Sequence, residues 1–424
     1  MSGSAGTGKT FIMEDVSEYA KRVSHLNKGT LFTAPTNKAV KVLKGHLSQN
    51  TTCATTHSAL SMKEHITDKG ALTFVADKYS GPPPASKYSA VIVDEASMID
   101  DSLFWPLLDL SEAGVKIIFV GDAYQVPPVN YDDAIPFNKE SQKEYGIEVF
   151  TMTEIIRQAQ GSPIIETAQV IRNNIYDDSI KMIRDDYVND IGSVKHVRAR
   201  HSFQFLTDLI LPMFKTPEYE NDIDFVKIIA WKNESVNRYN KAVRQYVFGE
   251  GIPMLVAGDK LIADSPVFES DHKTIAIATN SEMMVLGTTV DVENYSDDYS
   301  IKFYRAHVKV YDSFKYNEYI LKIVHEDSIP VYNELLKMQA NLAKSFPAGS
   351  QLAKSSWYDY YNFIKHWAQV KYSYCITTHK SQGSTYRTAC ALEYDIMTNR
   401  KVYERNRILY TACTRPSKEL YVIY

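Results

Sequence analysis

Gly3-Ser4-Ala5-Gly6-Thr7-Gly8-Lys9-Thr10 fits G-x-x-x-x-G-K-[ST], and Phe11-Ile12-Met13-Glu14 begins an amphipathic helical pattern directly behind it. In such a P-loop, glycines (here Gly3, Gly6 and Gly8) let backbone N–H groups close around phosphates. Lys9 brings a point charge to the outer phosphates, and the Thr10 hydroxyl is placed to ligate Mg²⁺ at a helix N-terminus. The competing reading is a glycine-rich turn with no ligand. A P-loop ordinarily follows a buried strand, yet only Met1 and Ser2 precede this one, so the sequence is expected to start at an internal methionine of a longer gene product, the alternative being a central strand supplied in some unusual way.

Outward from the loop, Ala90-Val91-Ile92-Val93 is a short apolar run ending in Asp94-Glu95, the pattern of a buried parallel strand whose carboxylates emerge at its C-terminal edge. Asp94 is then expected to hold Mg²⁺ and Glu95 to polarise an attacking water. A solvated acidic turn is the alternative, but it would not need four apolar residues upstream. Lys116-Ile117-Ile118-Phe119-Val120 reads as another strand leading into Gly121-Asp122-Ala123-Tyr124-Gln125-Val126-Pro127-Pro128, with Gln125 in reach of the γ-phosphate. Thr30-Leu31-Phe32-Thr33-Ala34 is a third, running into Pro35-Thr36-Asn37-Lys38-Ala39, whose donors suit phosphodiester contacts. Strands alternating with helical segments predict a doubly wound α/β domain.

With 424 residues the chain exceeds what one hydrophobic core organises, so two to four domains are expected. Apolar residues at 44% and charged residues at 23% place it with ordinary globular proteins, excluding disordered and collagenous classes. No apolar run is long enough to span a bilayer and no secretory signal opens the sequence, so no membrane partner and a cytoplasmic location are expected. Cys53, Cys375, Cys390 and Cys413 are widely spaced and suggest neither a zinc ribbon nor a disulfide framework. The net charge of -4 means that a nucleic acid would have to be gripped by a local groove. The 29 tyrosines suit base stacking and ordinary cores equally.

Taken in order, these segments resemble the superfamily 1 helicases, in the 5′-to-3′ branch that includes Dda-like and RecD-like enzymes. Gly3 to Thr10 is similar to motif I, Thr33 to Ala39 to motif Ia, Thr55-Thr56-His57-Ser58 to motif Ib, Val91 to Ala96 to motif II, and Gly121 to Pro127 to motif III. Thr153-Glu154-Ile155-Ile156-Arg157-Gln158 resembles the segment that places an arginine at the γ-phosphate, and Ile228 to Asn240 the strand-then-helix carrying Asn233 and Val236. Thr377 to Thr385 looks like motif V and Leu409 to Arg415 like motif VI. The resemblance implies two RecA-like P-loop domains with ATP between them and single-stranded DNA across both. Lys9, Asp94, Glu95, Gln125, Arg157 and Arg415 would serve catalysis, the two arginines as fingers, and Gly383 would join the nucleotide-binding set. Pro35, Thr36, Thr56, His57, Asn233, His379 and Lys380 would contact DNA. Taken singly, His57 and His379 read equally as surface or satisfied core histidines.

The resemblance also assigns the insertions. The first domain spans 1–150, with 61–88 as a small hairpin subdomain. There Asp68-Lys69-Gly70 turns between Glu64-His65-Ile66-Thr67 and Ala71-Leu72-Thr73-Phe74-Val75, and Pro82-Pro83-Pro84 ends the segment. Phe74 is the aromatic expected at a strand junction, with plain packing as its alternative. The second domain takes 151–250 and 371–424, and 251–370 is an SH3-like insertion. Its strands are read at Gly258–Asp264, Glu282–Leu286 and Thr289–Val292, and Asn280-Ser281-Glu282 stands where the family has Asn-Gly-Glu. Pro330 to Val370 reads as helical and aromatic-rich, a packing surface first and a DNA or partner contact second. The expected whole is a monomeric, ATP- and Mg²⁺-dependent DNA helicase moving 5′ to 3′ on single strands, acting at single-strand/duplex junctions beside single-strand-binding or replisome proteins in replication, recombination or repair. The alternatives are the motor subunit of a recombination nuclease and a nucleotide-gated DNA scaffold.

Overall fold

Strands Thr30–Ala34 and Ala90–Val93 are buried along their whole length, because in a parallel sheet both faces are covered and nothing forces alternation. They lie in the four-stranded parallel order Thr52–Thr55, Thr30–Ala34, Ala90–Val93, Lys116–Phe119. The computed structural model describes residues 1–22, 28–48, 51–77, 81–154, 161–180, 182, 184–199, 206–271, 274–296, 298–311 and 316–424, with Thr10, Ser17, Ala20, Lys21 and Tyr316 described by backbone alone.

The few residues ahead of the P-loop do occupy a strand position. Ser2–Gly3 pairs in parallel with Thr151–Met152 and bridges to Gly121 on the other side. The Gly3 amide donates to Gly121 O at 3.0 Å and the Met1 amino group to Phe119 O at 2.6 Å. This stub continues the sheet beyond Lys116–Phe119, so the P-loop leaves at the same C-terminal edge as Asp94. Its core is Met13, Phe32, Leu43, Ile92 and Val120.

A second sheet runs Cys375–Thr377, Val226–Ala230, Tyr386–Leu392, Pro416–Ile423, Ser193–Val197, Tyr187–Val188. All its pairings are parallel except the last. Its start beside helix Asn233–Phe248 is fixed by Asp395, whose carboxylate takes the amides of Trp231 at 2.8 Å and Lys232 at 3.0 Å and the Ser235 hydroxyl at 2.6 Å. Asn240 exchanges two side-chain hydrogen bonds with the backbone of Cys375, pinning the edge strand to that helix. The two sheets form one compact unit, Met1–Ser61, Lys78–Val247 and Tyr374–Tyr424, which accounts for the α/β class expected from the sequence.

A separate unit comprises Met62–Asp77 and Phe248–Ser373. Its five-stranded antiparallel sheet runs Tyr316–Val324, Ser300–Tyr311, Glu282–Asn294, Lys260–Ala263, Val370–Tyr372. The strands read separately at Glu282–Leu286 and Thr289–Val292 are one strand, whose register shifts between Val285 and Gly287. The turn before it keeps a left-handed residue without glycine: Asn280 takes φ 62°, which an asparagine side chain tolerates. The aromatic-rich stretch is two helices, Ile329–Ser345 and Gln351–Lys365, packed through Tyr332, Phe363 and Trp367 onto Ile301 and Phe303.

The hairpin Met62–Ile66/Leu72–Ala76 belongs to this unit and is docked by its turn. Gly70 (φ 79°) lies so close to Trp357 that a β-carbon on it would sit 2.1 Å from the indole. Tyr361 donates its hydroxyl to Gly70 O at 2.8 Å and accepts the Leu72 amide at 3.1 Å. Lys365 pairs with Glu64. Among the described residues no helix is long and apolar enough to cross a membrane.

Candidate active site

The P-loop bends through two left-handed glycines, Gly6 (φ 80°) and Gly8 (φ 79°), before helix Lys9–Arg22 begins. Lys9 folds back on the loop, its ammonium 2.7 Å from Gly3 O and 3.0 Å from Ser4 O. A phosphate would compete with those two carbonyls for it. Asp94 and Glu95 follow strand Ala90–Val93, and Glu95 stands at φ 51°, ψ 40°, a left-handed conformation that costs a non-glycine residue about 1–3 kcal/mol. Burial and the neighbouring Glu95 charge push the Asp94 carboxyl up to about 7, with Lys9 pulling the other way. An acidic pair short of positive charge is the chemistry that suits a divalent cation. The Thr10 side chain, the expected second ligand, lies outside the described residues.

The loop after Gly121 is held from the other sheet. Helix Val402–Cys413 presents Tyr403, Arg407, Tyr410 and Thr411 along one face, at the i, i+4, i+7, i+8 spacing that brings side chains into line. Arg407 is buried, and its guanidinium donates to Ala123 O at 2.9 Å, Gln125 O at 2.8 Å, Asp132 O at 2.6 Å and the Asp133 carboxylate at 2.7 Å. Thr411 accepts the Val126 amide at 3.1 Å, while Gln382 donates to Val126 O at 2.7 Å. Tyr410 donates to Asp122 at 2.6 Å and lies 3.4 Å from the Ala5 amide of the P-loop. Gln125 is buried with its Oε1 facing no donor among the described residues.

The remaining sequence-predicted residues fall as follows. Arg415 is buried and spends its donors on its own helix end, on Thr411 O at 3.0 Å, Thr414 Oγ1 at 3.0 Å and Ser384 O at 3.3 Å. Reaching a phosphate would require it to exchange those partners. Arg157 lies outside the described residues. Gly383 (φ 67°) packs against motif Ia, with Ala39 Cβ 3.2 Å and Thr36 Oγ1 3.7 Å from where its β-carbon would be. Thr36 caps helix Asn37–His46 by accepting the Ala39 amide, and Pro35 precedes it half-buried. Lys38 is bound to Asp224 at 2.9 Å and stands over the Tyr386 ring. Thr56 is buried; His57 and His379 are half-buried, and burial lowers the pKa of both against the weaker opposing pull of Asp100 and Glu404. Asn233 is exposed at a helix start, Lys380 lies half-buried in the turn His379–Ser381, and Phe74 is exposed in mid-strand rather than at the hairpin tip.

Sequence reading missed Arg407, Tyr410 and Gln382. The signal was present for the first two: polar groups three residues apart in a stretch that also holds Ile408, Leu409, Ala412 and Cys413, all fully buried.

Two family descriptions match the chain, an AAA domain over residues 1–192 and a UvrD-like helicase C-terminal domain over residues 372–423. An uncharacterized protein, R530, of Acanthamoeba polyphaga mimivirus is 27% identical, with 99% of this chain and 93% of that protein covered. The ATP-dependent DNA helicase dda of Enterobacteria phage T4 is 25% identical over 90% of this chain and 84% of its own length. Among solved structures, Pif1 helicase from Candida albicans superposes with a TM-score of 0.47 at 15% identity, covering all of this chain and 89% of that one. The chain thus matches an AAA domain at its start and a UvrD-like helicase C-terminal domain at its end, and the motifs between them are similar, in order, to those of the Dda-like and RecD-like superfamily 1 helicases.

Proposed function

We propose that this protein is an ATP-dependent DNA helicase that steps 5′ to 3′ along single-stranded DNA and opens duplex ahead of it. The observation that carries the reading is the grip of helix Val402–Cys413 on the loop Asp122–Asp133, beside the P-loop. Residues of both sheets thereby meet where a nucleotide would sit. Binding and release of phosphate there can change how the sheets hold one another.

In this reading Lys9 leaves the carbonyls of Gly3 and Ser4 for the outer phosphates, and the loop amides between Gly6 and Lys9 cradle the inner ones. Glu95, held in its left-handed turn, orients the attacking water, and Gln125 offers a buried polar head to the γ-phosphate. Arg157 and Arg415 act as fingers. Asp94 and Thr10 would hold Mg²⁺, which when bound neutralises charge across the phosphate oxygens. The DNA strand would run over Pro35, Thr36, Thr56, His57, Asn233, His379 and Lys380, with Phe74 of the hairpin near the junction. We place the protein in the cytoplasm as a monomer acting in replication, recombination or repair alongside single-strand-binding or replisome proteins.

The test is steady-state ATPase with and without single-stranded DNA, beside Lys9→Ala, followed by unwinding of 5′- and 3′-tailed duplexes. Stimulation by DNA that vanishes in Lys9→Ala, with unwinding only from the 5′ tail, is the expected result. ATPase indifferent to DNA would overturn the motor reading, and unwinding from the 3′ tail would overturn the direction.

A further inference from the structure

One phenol stands between a buried carboxylate and the P-loop. Tyr410 is 1% exposed, and its hydroxyl donates to Asp122 Oδ2 at 2.6 Å while its oxygen faces the Ala5 amide at 3.4 Å. The other oxygen of Asp122 takes the Tyr124 amide at 3.0 Å, so the carboxylate, itself 1% exposed, is satisfied by one fixed backbone donor and one side-chain donor. Burial and the Asp122 charge hold the Tyr410 pKa well above its usual value, so the group remains a neutral donor.

The place of this hydroxyl relative to the phosphates follows from Lys9. The ammonium that serves the outer phosphates rests on Gly3 O and Ser4 O, the two residues before Ala5. A γ-phosphate arriving at that ammonium comes within reach of the Ala5 amide and of the phenol that faces it. Behind the phenol lies Asp122, whose negative charge would repel a γ-phosphate if nothing stood between them. A diphosphate, lacking the γ-phosphate, would not meet this corner.

We propose that Tyr410 is a positioning residue that makes the site prefer triphosphate over diphosphate. Its hydroxyl screens Asp122 from the γ-phosphate and can turn from the carboxylate to a phosphate oxygen. Because Tyr410 shares a helix face with Arg407 and Thr411, that exchange also tells the helix gripping the Asp122–Asp133 loop which nucleotide is bound. The inference rests on the nucleotide reading of the P-loop given above.

The experiment titrates a fluorescent ADP and a non-hydrolysable fluorescent ATP analogue into wild type, Tyr410→Phe, Tyr410→Phe/Asp122→Asn and Thr411→Val, with Lys9→Ala as the control for site occupancy. Tyr410→Phe is expected to weaken the triphosphate relative to the diphosphate by about tenfold, the scale of one lost hydrogen bond to a charged group. Adding Asp122→Asn removes the bared charge and should restore the part of that ratio due to repulsion, the hydrogen bond to the phosphate staying lost. Thr411→Val loosens the same contact between helix and loop but keeps the phenol, and should shift the ratio less than Tyr410→Phe does. If Tyr410→Phe does not fold, the double variant compared with Asp122→Asn alone isolates the hydroxyl, and a lower triphosphate preference is still expected. Equal weakening of both nucleotides, an unchanged ratio, or tighter triphosphate binding overturns the proposal. Wild type that binds neither nucleotide overturns the nucleotide reading instead.

Discussion

Arg407 holds the Asp133 carboxylate at 2.7 Å while its other donors close on the carbonyls of Ala123, Gln125 and Asp132. A planar guanidinium satisfies a loop in this way because its donors diverge in a fixed fork, which an ammonium cannot reproduce.

Arg407→Ala should therefore leave the half-exposed Asp133 carboxylate with only the Tyr403 hydroxyl, and three loop carbonyls without the guanidinium. Leaving buried acceptors unsatisfied costs about 1–3 kcal/mol, so urea unfolding monitored by circular dichroism should show a loss of that order. Arg407→Lys should recover less than half of it. A loss below about 1 kcal/mol, the range of exposed pairs, would mean that the grip contributes little.

Docking of the hairpin predicts a separation of activities. Glu64→Lys and Lys365→Glu each place like charges together beside the Trp357 and Tyr361 anchors, and each should impair strand separation more than ATP hydrolysis on single strands. The exchange Glu64→Lys with Lys365→Glu should restore unwinding. Singles that unwind as wild type does would show that the docked position of the hairpin has no part in opening duplex.

Arg415 should behave as a finger only if it can leave Thr411 O, Ser384 O and Thr414 Oγ1. Arg415→Ala is expected to slow turnover by about 10³ to 10⁵, with nucleotide affinity changed little. Pre-steady-state hydrolysis beside equilibrium nucleotide binding separates the two effects. Loss of binding in step with turnover would assign Arg415 to the fold rather than to the γ-phosphate.

DNA affinity should fall steeply with salt despite the net charge of -4, because the grip is on phosphates. Fluorescence anisotropy of a labelled oligonucleotide between low and physiological salt should give a log–log slope of about -2 or steeper, corresponding to roughly three neutralised phosphates on a single strand. A slope near zero would mean that stacking, not charge, holds the strand.

The parallel strands were legible because four or five apolar residues in a row, followed by Gly, Asp or Pro, can be buried on both faces and nowhere else. The position of Lys9 was legible from the G-x-x-x-x-G-K-[ST] spacing, and those of Asp94 and Glu95 because they follow such a strand. The strand before the P-loop was not: two residues carry no periodicity, and their place is fixed by Gly121 and Thr151–Met152, far along the chain. Nor could the sequence show that Lys38, in a loop rich in donors, is committed to Asp224, or that Arg415 turns back on its own helix. Those outcomes depend on which acceptors the fold brings near. Glu282–Asn294 was split in two because Gly287 reads as a break, whereas the bulge beside it lets the strand continue.

The docked hairpin also constrains how the protein is made. Met62–Ala76 leaves the ribosome early, but the hydroxyl that fixes its turn belongs to Tyr361, 289 residues after Leu72. At ordinary elongation rates that interval is roughly 15–60 s. For that time a two-stranded ribbon, too small to be stable by itself, must wait without its partner helix. Nascent chains halted before residue 351 should therefore carry Met62–Ala76 in a protease-sensitive form, and chains released beyond 365 should not.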